Sequence, residues 1–211
     1  PPGGDTVREV RHLSAMASDY IVRPFADRAG ERPFTIRLAT FRDIPALHTL
    51  IDESVRQLSV GYLSQAQIES ELRFVIAPDT QLIADGTYYV AEAPDGALAG
   101  AGGWSRRQAL YGGDQHRTAA LRDPHAVDPD ALLDPSRDPA RIRAMFTSPR
   151  WARRGVARAI FERSRAAAVN AGFSSLILTA TMPGVPLYQA LGFRVARRYM
   201  DHVPAGIDVP V

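Results

Sequence analysis

The sequence predicts an α/β domain, and three observations carry that prediction. Two stretches with helical spacing of apolar residues each open on a capping pattern. A Pro-Asp-Gly turn joins two strand-like runs. In the carboxyl half a strand, a glycine-marked turn, a helix and a second strand follow one another, which is the order of a crossover unit.

Each element has its own local cause. Apolar and polar residues alternate from Phe34 to Leu38, as in a short strand. Thr40 stands three residues before Asp43, and Ile44, Leu47, Ile51, Val55 and Leu58 then recur on one helical face. Ser64 and Gln67 repeat the capping pattern for a shorter helix through Ile68, Leu72 and Val75, which Pro78 stops. Thr87 to Ala93 and Ala97 to Trp104 read as strands joined by Pro94-Asp95-Gly96. Gly100, Gly102 and Gly103 weaken the second of these and mark a bulge or a close approach by something else.

Residues 105–140 hold four Asp-Pro pairs, at 123, 128, 134 and 138, which rule out a long regular element. A segment of that length reads as a functional cover or as a disordered or partly helical surface insertion. After it come a strand from Ile142 to Thr147, a helix from Val156 to Ala171 ended by Gly172, and a strand from Leu176 to Thr181. A short helix near 186–191, a strand from Phe193 to Met200 and a last strand from Ile207 complete the order. Residues 1–32 read as a partly disordered extension and 33–211 as the domain, with Met16 a candidate native start and the strand at Val211 cut short.

Composition removes whole classes of function. The chain has 211 residues, 45 % of them apolar, enough for one domain with a core. With no cysteine it holds no disulfide, thiolate nucleophile or Cys-ligated zinc. The 25 basic residues exceed the 23 acidic ones by two, and all are arginine, which reconciles a charge of +2 with an isoelectric point near 9.3. Lacking lysine, the chain has no Walker A lysine and no Schiff-base chemistry. So small an excess predicts no nucleic-acid partner. No apolar run approaches the roughly 20 residues of a bilayer crossing, and no apolar signal segment opens the chain, so the expectation is a cytoplasmic protein with no membrane partner. Histidines lack i, i+4 partners, and no metal site is expected.

Chemistry concentrates in Arg141-Ile-Arg-Ala-Met-Phe-Thr-Ser-Pro-Arg150-Trp-Ala-Arg-Arg-Gly155-Val-Ala157, followed by helix, strand and Leu187-Tyr-Gln-Ala-Leu-Gly-Phe193. A helix amino terminus offers unpaired N–H groups and partial positive charge, so a diphosphate sits there once small residues admit it. Gly155 admits it, and Arg150, Arg153, Arg154 and Arg158 supply cations around the same turn. The ordinary alternative is a solvated basic helix start.

This run resembles the GNAT acetyltransferase superfamily over about residues 34–200. In the family's pyrophosphate motif, R/Q-x-x-G-x-G/A, Gly155 and Ala157 fill the last two defined positions, while Ala152 departs at the first. The resemblance implies a mixed, centrally splayed β-sheet flanked by helices, with acetyl-CoA as cosubstrate and no metal. It implies that Arg153, Arg154, Gly155, Val156, Ala157 and Arg158 hold the cofactor's phosphates, and that main-chain groups of Met145, Phe146 and Thr147 pair with its pantetheine arm. Tyr188 matches the tyrosine many relatives use as general acid toward the departing thiolate; its alternative is a core aromatic. From a phenol near ~10 to a thiolate near ~8.5 that transfer is uphill by about 2 kcal/mol in water, which positioning offsets. Thr181 stands where relatives carry an asparagine, so that role is not transferred.

The architecture so implied edges an acceptor cleft with the first two helices, the hairpin and the strand ends. Tyr62, Gln65, Trp104 and Ser105 are the acceptor-side candidates, with Tyr111 behind them. No base stands out among Asp52, Glu53, Glu92, His48, His116 and His125. The expected activity is acetyl-CoA-dependent N-acetyl transfer to a small-molecule or peptide amine by direct attack in a ternary complex. The rival is a non-catalytic CoA-binding regulatory module, and relatives pair as homodimers through sheet edges or terminal strands.

Overall fold

A computed structural model of the chain describes residues 33–110, 113–114 and 128–198, with the backbone of 200–203 and 207–210. The expected extension at 1–32, Tyr111, His116 and His125 lie outside the described residues. The order is β1 (Thr35–Leu38), α1 (Ile44–Leu58), α2 (Gln65–Phe74), α3 (Thr80–Ala84), β2 (Tyr88–Glu92), β3 (Leu98–Ser105) and β4 (Ala140–Thr147). Then follow α4 (Val156–Asn170), β5 (Leu176–Ile177), α5 (Val185–Ala190), β6 (Met200–Val203) and β7 (Ile207–Pro210).

Both capping patterns form. Thr40 donates its N–H and hydroxyl to Asp43 Oδ2 at 2.7 and 3.0 Å, fixing the single 3-10 turn that leads into α1. Ser64 N–H donates to Gln67 Oε1 at 2.9 Å while Gln67 N–H donates back to Ser64 Oγ at 3.3 Å. Leu47, Ile51 and Val55 of α1 are buried as their spacing predicts. The sequence reading missed α3, whose five residues are too few to show a period; Asp79 caps it by accepting from Leu82 N–H at 3.2 Å.

β1 to β5 form one sheet in chain order, antiparallel except for the parallel pair β4–β5. One face packs on α4, where Ile142, Val156, Ile160, Phe161 and Phe173 form the larger core. The other face meets α1 and α3 through Leu47, Leu50, Leu82, Tyr88 and Val90. The glycines of β3 are needed for closeness. An added Cβ on Gly100 would lie 2.7 Å from Val156 Cγ1, and one on Gly102 would overlap Met145 Sδ. At Gly102 the register slips: β3 advances two residues from Ala101 to Gly103 while β4 covers three, from Phe146 to Arg143. The extra residue makes a bulge in β4, and Ala144 there takes a positive φ of 51°.

Two expected strands come out shorter or displaced. Only Leu176 and Ile177 of the run 176–181 pair, with Ala140 and Arg141, because β4 beyond Arg141 bulges and diverges from β5. Residues 193–198 also form no strand: Phe193 packs on Phe161, and 194–198 are exposed. β6 begins at Met200 and pairs with β7 as a separate hairpin. The described parts of the 105–140 segment are tied to the domain. Gln108 and Leu133 N–H groups donate to Ala131 and Arg106 carbonyls, and the Arg107 guanidinium grips Asp85 through two bonds of 2.7 Å. Its Asp-Pro pairs at 134 and 138 do form turns, Asp134 accepting from Ser136 N–H and hydroxyl. Among the described residues no helix is long and apolar enough to cross a membrane.

Candidate functional site

The site begins where β4 ends. Ser148 N–H donates to Ala99 O at 2.9 Å, and Trp151 N–H closes a 3-10 turn on Ser148 O at 2.8 Å. The chain then reverses through two residues of positive φ, Arg153 at 64° and Gly155 at 83°, and α4 starts. The second of these explains the glycine: L side chains are strained in that region, and nothing lies within 4 Å of where a Cβ would stand, so the space before the helix is open. No side chain caps α4, which leaves its first N–H groups facing that space.

Arg150, Arg153, Arg154 and Arg158 are all exposed around the turn, and none pairs with a carboxylate among the described residues. Arg154 lies 5.4 Å over the Trp151 ring, and that ring meets Phe34 edge-on at 6.1 Å, so the turn is braced on the core. Ala152 and Ala157 are half-buried. A polyanion of diphosphate chemistry fits this arrangement.

The turn opens onto the divergence of β4 from β5, which starts beyond the Arg141–Ile177 pair. Met145, Phe146 and Thr147 edge it. Met145 packs toward α4, Phe146 toward α1, and Thr147 N–H donates to Ser54 Oγ of α1 at 3.4 Å, so that amide is engaged within the chain. Tyr188 of α5 is buried, its ring edge-on to Phe193 at 5.9 Å, which in turn meets Phe161 of α4 at 5.7 Å. Gly184 makes room for it, since an added Cβ would sit 3.1 Å from the ring. Burial pushes the phenol above its ordinary value, and its hydroxyl has no hydrogen-bond partner among the described residues.

The acceptor-side candidates divide. Tyr62 is 51 % exposed in the loop between α1 and α2, and Gln65 is exposed on α2. Gln65 Nε2 donates to Glu69 Oε1 at 2.6 Å, within a surface network in which Arg56 binds Asp52 and Glu69. Trp104 and Ser105 are buried. Trp104 is 5 % exposed and packs edge-on to Phe173 on the α4 face, because it pairs with Ile142 and shares that residue's inward direction. Ser105 is buried and its Oγ accepts from Arg107 N–H at 3.0 Å, closing a turn. Both lie at the opposite end of β4 from the α4 turn, about 17 Å away at strand rise. Of the bases considered, Asp52 is paired with Arg56 and Glu92 with Arg37, while His48 and Glu53 are on the exposed side of α1.

Sequence reading also missed a buried ion pair under β4, Arg143 with Asp79, and the Tyr88 hydroxyl beside it. The available signal was Arg143 in the middle of the strand, between Ile142 and the apolar run from Ala144 to Phe146.

This arrangement, an open helix entrance beside a parallel strand pair that parts, belongs to a mixed α/β sheet flanked by helices. A family model described as an acetyltransferase (GNAT) domain matches residues 132–205. Among solved structures, a GCN5-related N-acetyltransferase from Rhodopseudomonas palustris has a TM-score of 0.58 at 14 % identity, over 84 % of this chain and 91 % of that one. The PaiA N-acetyltransferase from Thermoplasma acidophilum, in complex with coenzyme A, has a TM-score of 0.50 at 12 % identity, over 84 % and 96 %. A GCN5-related N-acetyltransferase from Ralstonia eutropha JMP134 also scores 0.50, at 17 % identity over 80 % and 97 %. No curated protein matches the sequence. Residues 132–205 thus match a GNAT acetyltransferase domain model, and these solved structures share the chain's fold, in keeping with the resemblance read from its residues.

Proposed function

We propose that the protein transfers the acetyl group of acetyl-CoA to a primary amine in a ternary complex. The observation that carries this reading is the uncapped entrance of α4, with four arginines around it that meet no carboxylate among the described residues, at the mouth of the β4–β5 opening. In this reading the N–H groups of Gly155, Val156, Ala157 and Arg158 and the guanidinium groups of Arg153 and Arg154 take the diphosphate. The pantetheine arm lies along Met145, Phe146 and Thr147, its amides replacing the strand partner that β4 lacks there.

The amine must arrive neutral, because an ammonium has no lone pair. Its nitrogen attacks the thioester carbonyl carbon, the C–N bond forms, and the tetrahedral intermediate collapses with loss of the C–S bond. Tyr188 gives its proton to the departing thiolate, and the proton released by the amine returns to the phenolate through solvent. The products are an N-acetyl amine and CoA thiol. Burial of Tyr188 keeps it protonated throughout the neutral range and likewise disfavours a bare thiolate beside it, so a proton is at hand as the C–S bond breaks. Tyr62 and Gln65 edge the acceptor's approach from the α1–α2 side.

Titration calorimetry with acetyl-CoA, followed by thiol release over a panel of small and peptide amines, tests the proposal. Binding at micromolar concentration with amine-dependent thiol release is expected; no CoA binding ends it. The second reading, a CoA-binding module without turnover, draws on Ala152 in place of the motif's first residue and on the buried phenol. Binding with no thiol release from any amine would favour it.

A further inference from the structure

Trp151 stands at the foot of the α4 turn, and neither the diphosphate nor the general acid calls for an indole there. The turn itself explains how the ring is placed. Ala152 has φ −59° and ψ 141°, Arg153 has a φ of 64°, and Arg154 N–H donates to Trp151 O at 3.4 Å, so residues 151–154 fold as a type II turn. The first and last residues of such a turn lie within about 7 Å of each other. Arg154 accordingly comes to rest over the indole, its guanidinium carbon 5.4 Å from the ring centre. The third place of the turn favours glycine, yet Arg153 fills it at positive φ. Backbone held against its preference in this way clusters at ligand clamps.

The indole is anchored on one side and open on another. Phe34 meets it edge-on at 6.1 Å and it packs against the larger core, but it is only half-buried. Arg154 beside it is exposed and meets no carboxylate among the described residues. From Thr147 to Ile160 the chain has no other aromatic residue, so this pair is the one place around the turn that offers a flat ring to a ligand. A guanidinium donates hydrogen bonds in its plane and stacks through its faces, so Arg154 serves a planar base and a phosphate together. In coenzyme A a single ribose separates the diphosphate from adenine. A diphosphate held at the entrance of α4 therefore brings the base within one sugar's length of residues that directly precede that entrance.

We infer that Trp151 and Arg154 form a nucleobase platform, on which the adenine of coenzyme A stacks while the α4 entrance holds its diphosphate. The inference rests on the acetyl-transfer reading above. Stacking of a base on an aromatic side chain adds affinity for the nucleotide end of the cofactor and none for its pantetheine end.

Calorimetry on the full chain with coenzyme A and with 4′-phosphopantetheine, which lacks the adenosine, tests it. Trp151→Leu should weaken coenzyme A about tenfold or more and leave 4′-phosphopantetheine within about twofold. Trp151→Tyr, which keeps a ring, should bind coenzyme A within about threefold of the parent. Arg154→Lys, a surface change that keeps the charge and loses the plane, should weaken coenzyme A about three- to tenfold and again spare 4′-phosphopantetheine. Fluorescence gives a direct readout, because the only other tryptophan, Trp104, is 5 % exposed and packs on Phe173. Adenosine 3′,5′-bisphosphate should quench the parent's emission saturably and leave that of Trp151→Tyr unchanged. Equal losses for both ligands in Trp151→Leu would make the indole a brace of the turn and overturn the inference, as would an unquenched parent that binds coenzyme A. Failure of the parent to bind coenzyme A overturns instead the acetyl-transfer reading, and quenching by the bisphosphate still decides whether the platform takes a base.

Discussion

α1 and α4 each follow a strand of the same sheet and each have arginines at their amino ends, yet their entrances are opposite in kind. At α1 the 3-10 turn that leads into the helix is closed within the chain. Thr40 and Asp43 are bonded to each other, and Arg37 donates twice to Asp43, at 2.9 and 2.8 Å, and once to Glu92 at 2.7 Å. Arg37 accordingly holds the Asp43 carboxyl down at about 2. At α4 the cap is a glycine, and Arg153, Arg154 and Arg158 find no carboxylate among the described residues. The same physical terms, a positive helix end and guanidinium charge, are spent on stability in one place and left for an external anion in the other.

The sharpest way to break this contrast is Gly155→Asp, which sets a carboxylate where the diphosphate should lie. Loss of acetyl-CoA affinity by about 100-fold or more is expected from calorimetry, with Gly155→Ala as the control for the roughly 1 kcal/mol of backbone strain at positive φ. Equal affinities in the aspartate variant and the parent would remove α4 from the site. Tyr188→Phe should come next, lowering kcat about 10- to 100-fold in steady-state assays with CoA affinity kept. Smaller again, Arg153→Ala and Arg154→Ala should each weaken binding about three- to tenfold and flatten its dependence on salt.

The smallest effect belongs to the satisfied entrance. Asp43→Ala should cost about 1 kcal/mol of stability and leave CoA affinity alone. Because the folded carboxyl titrates below its unfolded value, its contribution is full above about pH 4 and is lost as pH falls toward about 2. Thermal melts of parent and variant should therefore converge over that window. A gap that persists at pH 2 would mean that Asp43 stabilises as a neutral cap rather than as the partner of Arg37.

Much of this contrast was legible in the sequence, and what was not has a common cause. Thr40, Asp43, Ser64 and Gln67 act on groups two or three residues away, so spacing alone revealed both caps. Gly155 was legible as the hinge of a strand-to-helix turn for the same reason. The burial of Trp104 and Ser105 was not legible, because their surroundings come from Phe173 and Arg107 and from the pairing of β3 with β4. The strand expected over 193–200 does not form over 193–198, because alternation describes a strand's faces but not whether the segment docks on a sheet. The Arg143–Asp79 pair joins residues 64 apart in sequence, a separation over which no pattern reaches.

The sequence by itself determined the two long helices, the hairpin, the strand β4 and the capped and uncapped helix entrances, since each depends on contacts within one turn or one strand. Tertiary structure alone decided where β4 leaves β5, that its bulge falls opposite Gly102, and which side chains stand behind that bulge. Those features depend on the register between distant strands, and register is set only when both faces of a sheet are packed at once.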